Sequence, residues 1–177
     1  LQGLQGAILQ MVNHGLSTGA LFLIVGMLYE RRHTRLLENF GGLWKVLPVL
    51  GALALITTLS SAGLPGLNGF VGEFTILVGA FSSDAIGSPW FAGIAALGVI
   101  LAAVYLFFMF QKLFLGPITH EENQKLKDMS VREILVLTPL MLVALWIGLY
   151  PKPFFMLMAP AVEKLAALVQ SAALLAH

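Results

Sequence analysis

Apolar residues along the chain gather into long runs separated by short polar stretches, and run length decides the element type. A helix needs about 20 mostly apolar residues to cross a hydrocarbon core, and four stretches reach that length. They extend from Gln5 to Tyr29, Val46 to Phe81, Pro89 to Leu115 and Val131 to Tyr150. The pattern predicts an all-α membrane protein with four transmembrane helices. The second run is too long for one plain helix, and Gly63-Leu64-Pro65-Gly66-Leu67-Asn68-Gly69 interrupts it, so this helix is expected to be discontinuous. Pro65 has no backbone N–H to donate, while Gly63, Gly66 and Gly69 permit dihedrals that other residues resist. Irregular backbone survives in a bilayer only when buried in protein or lining a wet cavity.

Charge orients these spans. Arg31, Arg32, Arg35 and Lys45 follow the first run, and Lys112, Lys125, Lys127 and Arg132 lie around the link after the third. The link from Ser82 to Ser88 has no basic residue. A single broken crossing between Val46 and Phe81 puts both basic loops on one side, as the positive-inside rule prefers. A hairpin would put them on opposite faces. The tail, residues 153–177, carries Glu163 and Lys164 amid apolar residues. It is expected to form a short C-terminal interfacial helix rather than a fifth span. No internal repeat or polar linker divides the chain, so residues 1–177 read as a single transmembrane domain. The start at Leu1, with no basic segment ahead of the first apolar run, does not fit a signal peptide. It is expected to lie inside a longer protein.

Composition agrees with the membrane class. Charged residues make up 11% and hydrophobic ones 58%, against about 25% charged in soluble domains. A net charge of +1 gives no reason to expect a nucleic-acid partner. Cysteine is absent, which excludes disulfides, thiolate catalysis and iron–sulfur ligation within the chain.

Glu73 carries the candidate chemistry. It is the only carboxylate between Val46 and Phe81, and an acidic residue at membrane depth costs about 2.5–3.5 kcal/mol on insertion scales. A residue kept at that cost is a candidate for moving ions or protons, and a broken helix beside it strengthens the case. A carboxyl alone in hydrocarbon stays protonated, and a nearby mobile cation favours its ionised form. No other span offers a Lys or Arg near mid-membrane, so that cation is expected from outside the chain. Backbone groups freed at the break can orient water, and Thr57, Thr58, Ser60 and Ser61 can extend the polar lining. On the first helix, Gln10, Asn13, His14, Ser17 and Thr18 fall on one side. His14 is the candidate relay there, since an imidazole passes a proton through its two nitrogens. Each feature also has a plainer reading: a wetted carboxylate, a packing kink, a hydrogen-bonded histidine. Gly15 and Gly19 are expected to mark close helix packing. Arg31, Arg32, His33 and Arg35 read as a solvated loop that sets orientation. Tyr29, Trp44, Trp90 and Tyr150 read as an interfacial aromatic belt. Walker loops, dinucleotide fingerprints, metal-ligand clusters and catalytic triads are absent from the sequence.

These residues carry a family resemblance. Gln5-Gly-Ala-Ile-Leu-Gln-Met-Val-Asn-His14-Gly-Leu, Leu28-Tyr-Glu-Arg-Arg-His-Thr-Arg35, Gly41-Gly-Leu, Ser61-Ala-Gly-Leu-Pro-Gly, Gly69-Phe-Val-Gly-Glu-Phe74 and Gly148-Leu-Tyr-Pro-Lys-Pro153 closely resemble the antiporter-like M subunit (chain 4) of respiratory complex I. Paralogous subunits typically place a lysine where Glu73 stands, so this residue favours the M type. The resemblance implies the C-terminal part of a larger inverted-repeat fold, whose Glu–Lys pair and further lysine lie on helices outside this chain. It implies that Glu73 loads and releases protons in the outer half of a channel, that His14 belongs to a central polar axis, and that the break matches the family's discontinuous helix. It implies proton translocation within NADH–quinone oxidoreductase, without redox chemistry or a cofactor in this chain. NADH, FMN, iron–sulfur clusters and quinone would be bound by other subunits. Partners would be adjacent antiporter-like and other membrane subunits and the lipid bilayer, with no nucleic acid, in a bacterial inner membrane. The alternatives are a subunit of a cation/proton antiporter or membrane-bound hydrogenase complex, and a non-transporting scaffold.

Overall fold

A computed structural model describes residues 1–83 and 88–175. Residues 84–87 of the link without basic residues, and 176–177 of the tail, lie outside the described residues. The described chain is helical: α1 (Gln2–Arg32), α2 (Pro48–Ser61), α3 (Asn68–Phe81), α4 (Trp90–Phe114), a single turn α5 (Glu121–Gln124), α6 (Val131–Leu149) and α7 (Lys152–Leu175). Among the described residues, α1, α4 and α6 are long and apolar enough to cross a membrane, whereas α2 and α3 are shorter apolar helices.

The ends of these helices follow from local sequence. α1 stops where His33 turns left-handed (φ 51°) and its amide returns to the Tyr29 carbonyl at 2.7 Å. α2 opens with Pro48, whose fixed φ suits a first helical position. The Val49 and Leu50 amides then donate to Asp128 at 2.8 and 3.1 Å. α6 starts with a capping box, Ser130 and Glu133 each satisfying the other's backbone amide.

The link between α2 and α3 is a tight, internally bonded corner. The Leu64 amide donates to the Leu59 carbonyl at 3.0 Å and the Gly63 amide to that of Ser60 at 3.3 Å. With Gly63 at φ 74°, this is a Schellman C-cap. Leu64-Pro65-Gly66-Leu67 then makes a type II turn, with Gly66 at φ 93° and the Leu67 amide on the Leu64 carbonyl at 3.1 Å. Three amides of the corner, those of Gly63, Leu64 and Leu67, are thus held by nearby carbonyls. Gly69 lies within the first turn of α3 rather than in the corner, and a Cβ there would collide with the Ser60 carbonyl.

α1 runs antiparallel to α3 and then continues past α2. Gly3 abuts Gly79, Gly6 abuts Thr75 and Ile76, and Gln10 and Asn13 cover Gly72. Small residues at these points let the two backbones approach. Gly15 and Gly19, the expected packing pair, meet nothing within 4 Å of a built Cβ among the described residues. They lie on the opposite side of α1, so the contact uses a different set of small residues.

At the other end of α1 sits the apolar core. Ala20, Ile24, Leu43, Leu47, Leu50, Phe114 and Leu137 are almost fully buried there. The two basic segments meet over this core: the Gly42 amide reaches the Leu115 carbonyl at 3.2 Å and Thr119 the Phe40 carbonyl at 3.2 Å. Arg31 and Arg32 are not a solvated loop. They occupy the last turn of α1, where Arg31 grips both oxygens of Glu133 at 2.6 and 2.8 Å and Arg32 pairs with Glu122. Trp44 likewise leaves the expected belt, packing on Gly51 and edge-on to Phe110, while Tyr29, Trp90 and Tyr150 are exposed. The tail forms one helix, α7, of 24 residues that continues through Pro160 and coincides with the segment expected to be helical.

Candidate functional site

A cluster of polar side chains fills the junction of α1, α2 and α3. Asn68, the first residue of α3, is fully buried at its centre. Its Nδ2 donates to the Asn13 carbonyl at 3.2 Å and to Ser17 Oγ at 3.3 Å, and its Oδ1 accepts from Ser60 Oγ at 2.5 Å. Asn13 returns the contact, its Nδ2 donating to the Asn68 carbonyl at 2.7 Å. Ser17 and Ser60 also face each other at 2.8 Å. One amide thus ties the end of α2 and the start of α3 to the same stretch of α1.

Glu73 lies one turn further along α3 and joins this cluster at its edge. Its Oε1 accepts from Gln10 Nε2 at 3.2 Å, and Gln10 Oε1 accepts from Asn13 Nδ2 at 3.2 Å. Its Oε2 faces the corner, 2.5 Å from where a Cβ on Gly63 would stand. Absence of a side chain at Gly63 therefore serves two needs, a left-handed φ and room for the carboxyl. Gly72 is similarly constrained, since a Cβ there would strike Gln10 Oε1 and crowd Asn13 Nδ2 at 2.9 Å.

Other residues singled out by the sequence fall around this centre unevenly. Ser60 belongs to the cluster. Thr57 and Thr58 are buried and bond back to the Leu53 and Ala54 carbonyls of their own helix at 2.8 and 2.7 Å, and Thr57 also reaches Met141 Sδ on α6 at 3.4 Å. Ser61 Oγ is buried without a hydrogen-bond partner among the described residues. Pro65 and Gly66 shape the corner, and Gly66 approaches α6 so closely that a Cβ on Gly148 would collide with its carbonyl.

The polar stripe of α1 splits in two. Gln10, Asn13 and Ser17 turn inward, while His14 is exposed and reaches Thr18 Oγ1 at 3.2 Å. Within the described chain His14 and Glu73 share no hydrogen bond.

Asn68 is the residue that sequence reasoning passed over. The signal was available, because it is the only side-chain amide between Val46 and Phe81. A buried amide in hydrocarbon needs partners as much as a carboxylate does. No three His, Cys, Asp or Glu residues converge as metal ligands among the described residues. What the cluster offers instead is a carboxyl with one oxygen held and one facing a helix corner.

Residues 1–102, which include the entire cluster, match the family described as "NADH:quinone oxidoreductase/Mrp antiporter, TM". The chain belongs to this family. NADH-quinone oxidoreductase subunit M of Rickettsia typhi is 43% identical over 163 residues, covering 92% of this chain and 32% of that protein. NADH-ubiquinone oxidoreductase chain 4 of Marchantia polymorpha is 39% identical, covering 93% and 32%. Respiratory complex I from Thermus thermophilus with bound NADH contains a chain that superposes with a TM-score of 0.79 at 38% identity, covering 91% of this chain and 33% of that one. A chain of an archaeal membrane-bound sulfane sulfur reductase shares the fold alone, with a TM-score of 0.73 at 23% identity. This chain therefore spans about a third of the length of the family members it matches. It is an all-helical integral membrane chain homologous to a subunit of an oxidoreductase complex.

Proposed function

We propose that this chain is the C-terminal part of a proton-translocating subunit of NADH–quinone oxidoreductase and carries the outer half of its proton channel. The observation that carries this reading is the placement of Glu73, with Oε2 against the Gly63 corner and Oε1 on Gln10. A carboxyl at a broken helix, in a family of quinone oxidoreductases and antiporters, is placed to take up a proton from one side and release it to the other. A lysine outside this chain would trade charge and protons with it through water near the corner. His14, exposed on α1, would face the polar axis built by the remainder of the protein.

In this reading the chain crosses the membrane four times. α2 and α3 form one discontinuous crossing, because α1 packs along both in turn and the basic segments meet at one end. The helix α7 would lie at the outer interface; its Glu163 and Lys164 are both exposed. NADH, flavin, iron–sulfur clusters and quinone would sit in other subunits, with adjacent antiporter-like subunits and lipid as neighbours, in a bacterial inner membrane. A cation/proton antiporter subunit is the second reading, since the family description names both activities, and dependence of transport on sodium would favour it.

The test is proton uptake per NADH oxidised in vesicles carrying the intact complex with Glu73→Gln. A large fall with the complex assembled is expected. Unchanged pumping at a normal NADH oxidation rate would remove Glu73 from the path and leave a scaffold.

A further inference from the structure

Hydrogen bonds fix the orientation of the amides beside Glu73, leaving Asn13 Oδ1 buried without a partner among the described residues, and they sort the two carboxyl oxygens. An amide's oxygen and nitrogen are told apart by their partners. The Asn68 main-chain oxygen can only accept, so Asn13 must turn its NH2 toward it, at 2.7 Å. That NH2 also reaches Gln10 at 3.2 Å, so Gln10 must show Asn13 its carbonyl. Gln10 is then left with its NH2 toward Glu73 Oε1. Glu73 Oε2 points away from this set, toward Gly63.

Resting on the reading of Glu73 as the proton-transfer group, we propose that Gln10 is a positioning residue that reserves Oε2 for the proton. When a proton adds to an Oε2 lone pair, Oε1 becomes the carbonyl oxygen and still accepts from the Gln10 NH2. When the proton leaves, Oε1 accepts the same bond as part of a carboxylate. Neither state requires the amide to turn. A reversed amide would present a carbonyl, accept the carboxyl proton on Oε1 and hold it away from the corner. The backbone of α3 thus decides, through two side-chain amides, which oxygen of Glu73 exchanges protons.

The test uses the intact complex carrying Gln10→Met, similar in length but with no amide to donate. Infrared difference spectra between the NADH-reduced and oxidised complex give the Glu73 carboxyl band, assigned by its loss in Glu73→Gln. In Gln10→Met this band is expected at higher wavenumber, because its carbonyl has lost a donor. Correctly oriented Glu73 is expected to lose about threefold against misoriented forms, the factor equivalent to one interhelical hydrogen bond in a membrane, and protons moved per NADH to fall with it. Gln10→Asn, polar but one methylene shorter, is expected to shift the band likewise and serves if the methionine variant does not assemble. An unmoved band, or no band lost in Glu73→Gln, overturns the proposal. Normal pumping in Glu73→Gln would instead defeat the functional reading beneath it. Failed pumping in Glu73→Gln, with normal pumping and an unmoved band in Gln10→Met, defeats the positioning role alone.

Discussion

Replacing Asn68 by alanine tests whether one amide holds the corner between α2 and α3 to α1. The substitution removes three side-chain hydrogen bonds, to the Asn13 carbonyl, Ser17 Oγ and Ser60 Oγ. Side-chain hydrogen bonds between membrane helices average about 0.6 kcal/mol each, so their loss sums to ~2 kcal/mol. Orphaned buried groups would add about 1–3 kcal/mol apiece, but Ser17 and Ser60 keep each other at 2.8 Å. The expected destabilisation therefore stays near ~2 kcal/mol. Thr58→Val is the matched control. It is as buried as Asn68, but its hydroxyl bonds only the Ala54 carbonyl of its own helix. The Ala54 carbonyl also takes the backbone amide of the same helix, so valine orphans no buried group and should be nearly neutral. Equilibrium unfolding of the full-length protein in mixed dodecyl sulfate micelles reads both variants. A cost for Asn68→Ala no larger than that for Thr58→Val would refute the idea that the amide fastens the corner. A Ser60→Ala, Asn68→Ala cycle with no coupling would refute it independently.

The other expectations concern the corner glycines and the basic end. Gly63 and Gly66 both have positive φ, so alanine at either costs roughly 1–2 kcal/mol of left-handed strain. Only at Gly63 does the new Cβ also meet Glu73 Oε2, so Gly63→Ala should depress protons per NADH well below Gly66→Ala at similar stability; equal pumping would refute a shared site. Arg31→Ala loses both Glu133 oxygens and bonds to the Lys127 and Asp128 carbonyls. Bonds to charged groups contribute about 1.5–3 kcal/mol, so a lowered melting temperature with normal proton stoichiometry is expected. Altered stoichiometry would give this pair a role beyond bracing α1 to α6.

Features that depend on length and charge count were legible in the sequence. Run lengths marked the helices, Pro65 and its flanking glycines marked the corner, and the basic segments do meet at one end. Partnerships across distant stretches were not legible. Arg31 reads as a surface charge until α6 brings Glu133, far along the chain, to within 2.6 Å. Gly15 and Gly19 have the spacing of a packing motif, yet Gly3, Gly6, Gly72 and Gly79 make the contact. Spacing defines a face of a helix and leaves open which face meets protein. The same ambiguity joined His14 to Asn13, adjacent residues about 100° apart on a helix of 3.6 residues per turn, one exposed and the other buried.

The proposed chemistry of Glu73 would depend on three elements at once. α3 carries the residue, the corner after α2 faces Oε2, and α1 holds Oε1 through Gln10. Packed helices change arrangement in discrete steps rather than continuously. A shift of α1 against α3 would therefore act on Oε1 through Gln10, while a change at the corner would act on Oε2 through Gly63. Asn68 links these movements, because it bonds to α1 and to α2 from the first turn of α3. A conformational signal reaching any one of the three helices thus has a direct route to the carboxyl. If Glu73 is the proton site proposed above, this arrangement suits coupling to chemistry elsewhere better than independent titration. Asn68→Ala therefore also serves as a test of coupling. In the assembled complex it should lower protons per NADH while Thr58→Val does not, and equal stoichiometry in the two variants would break the proposed link between corner and carboxyl.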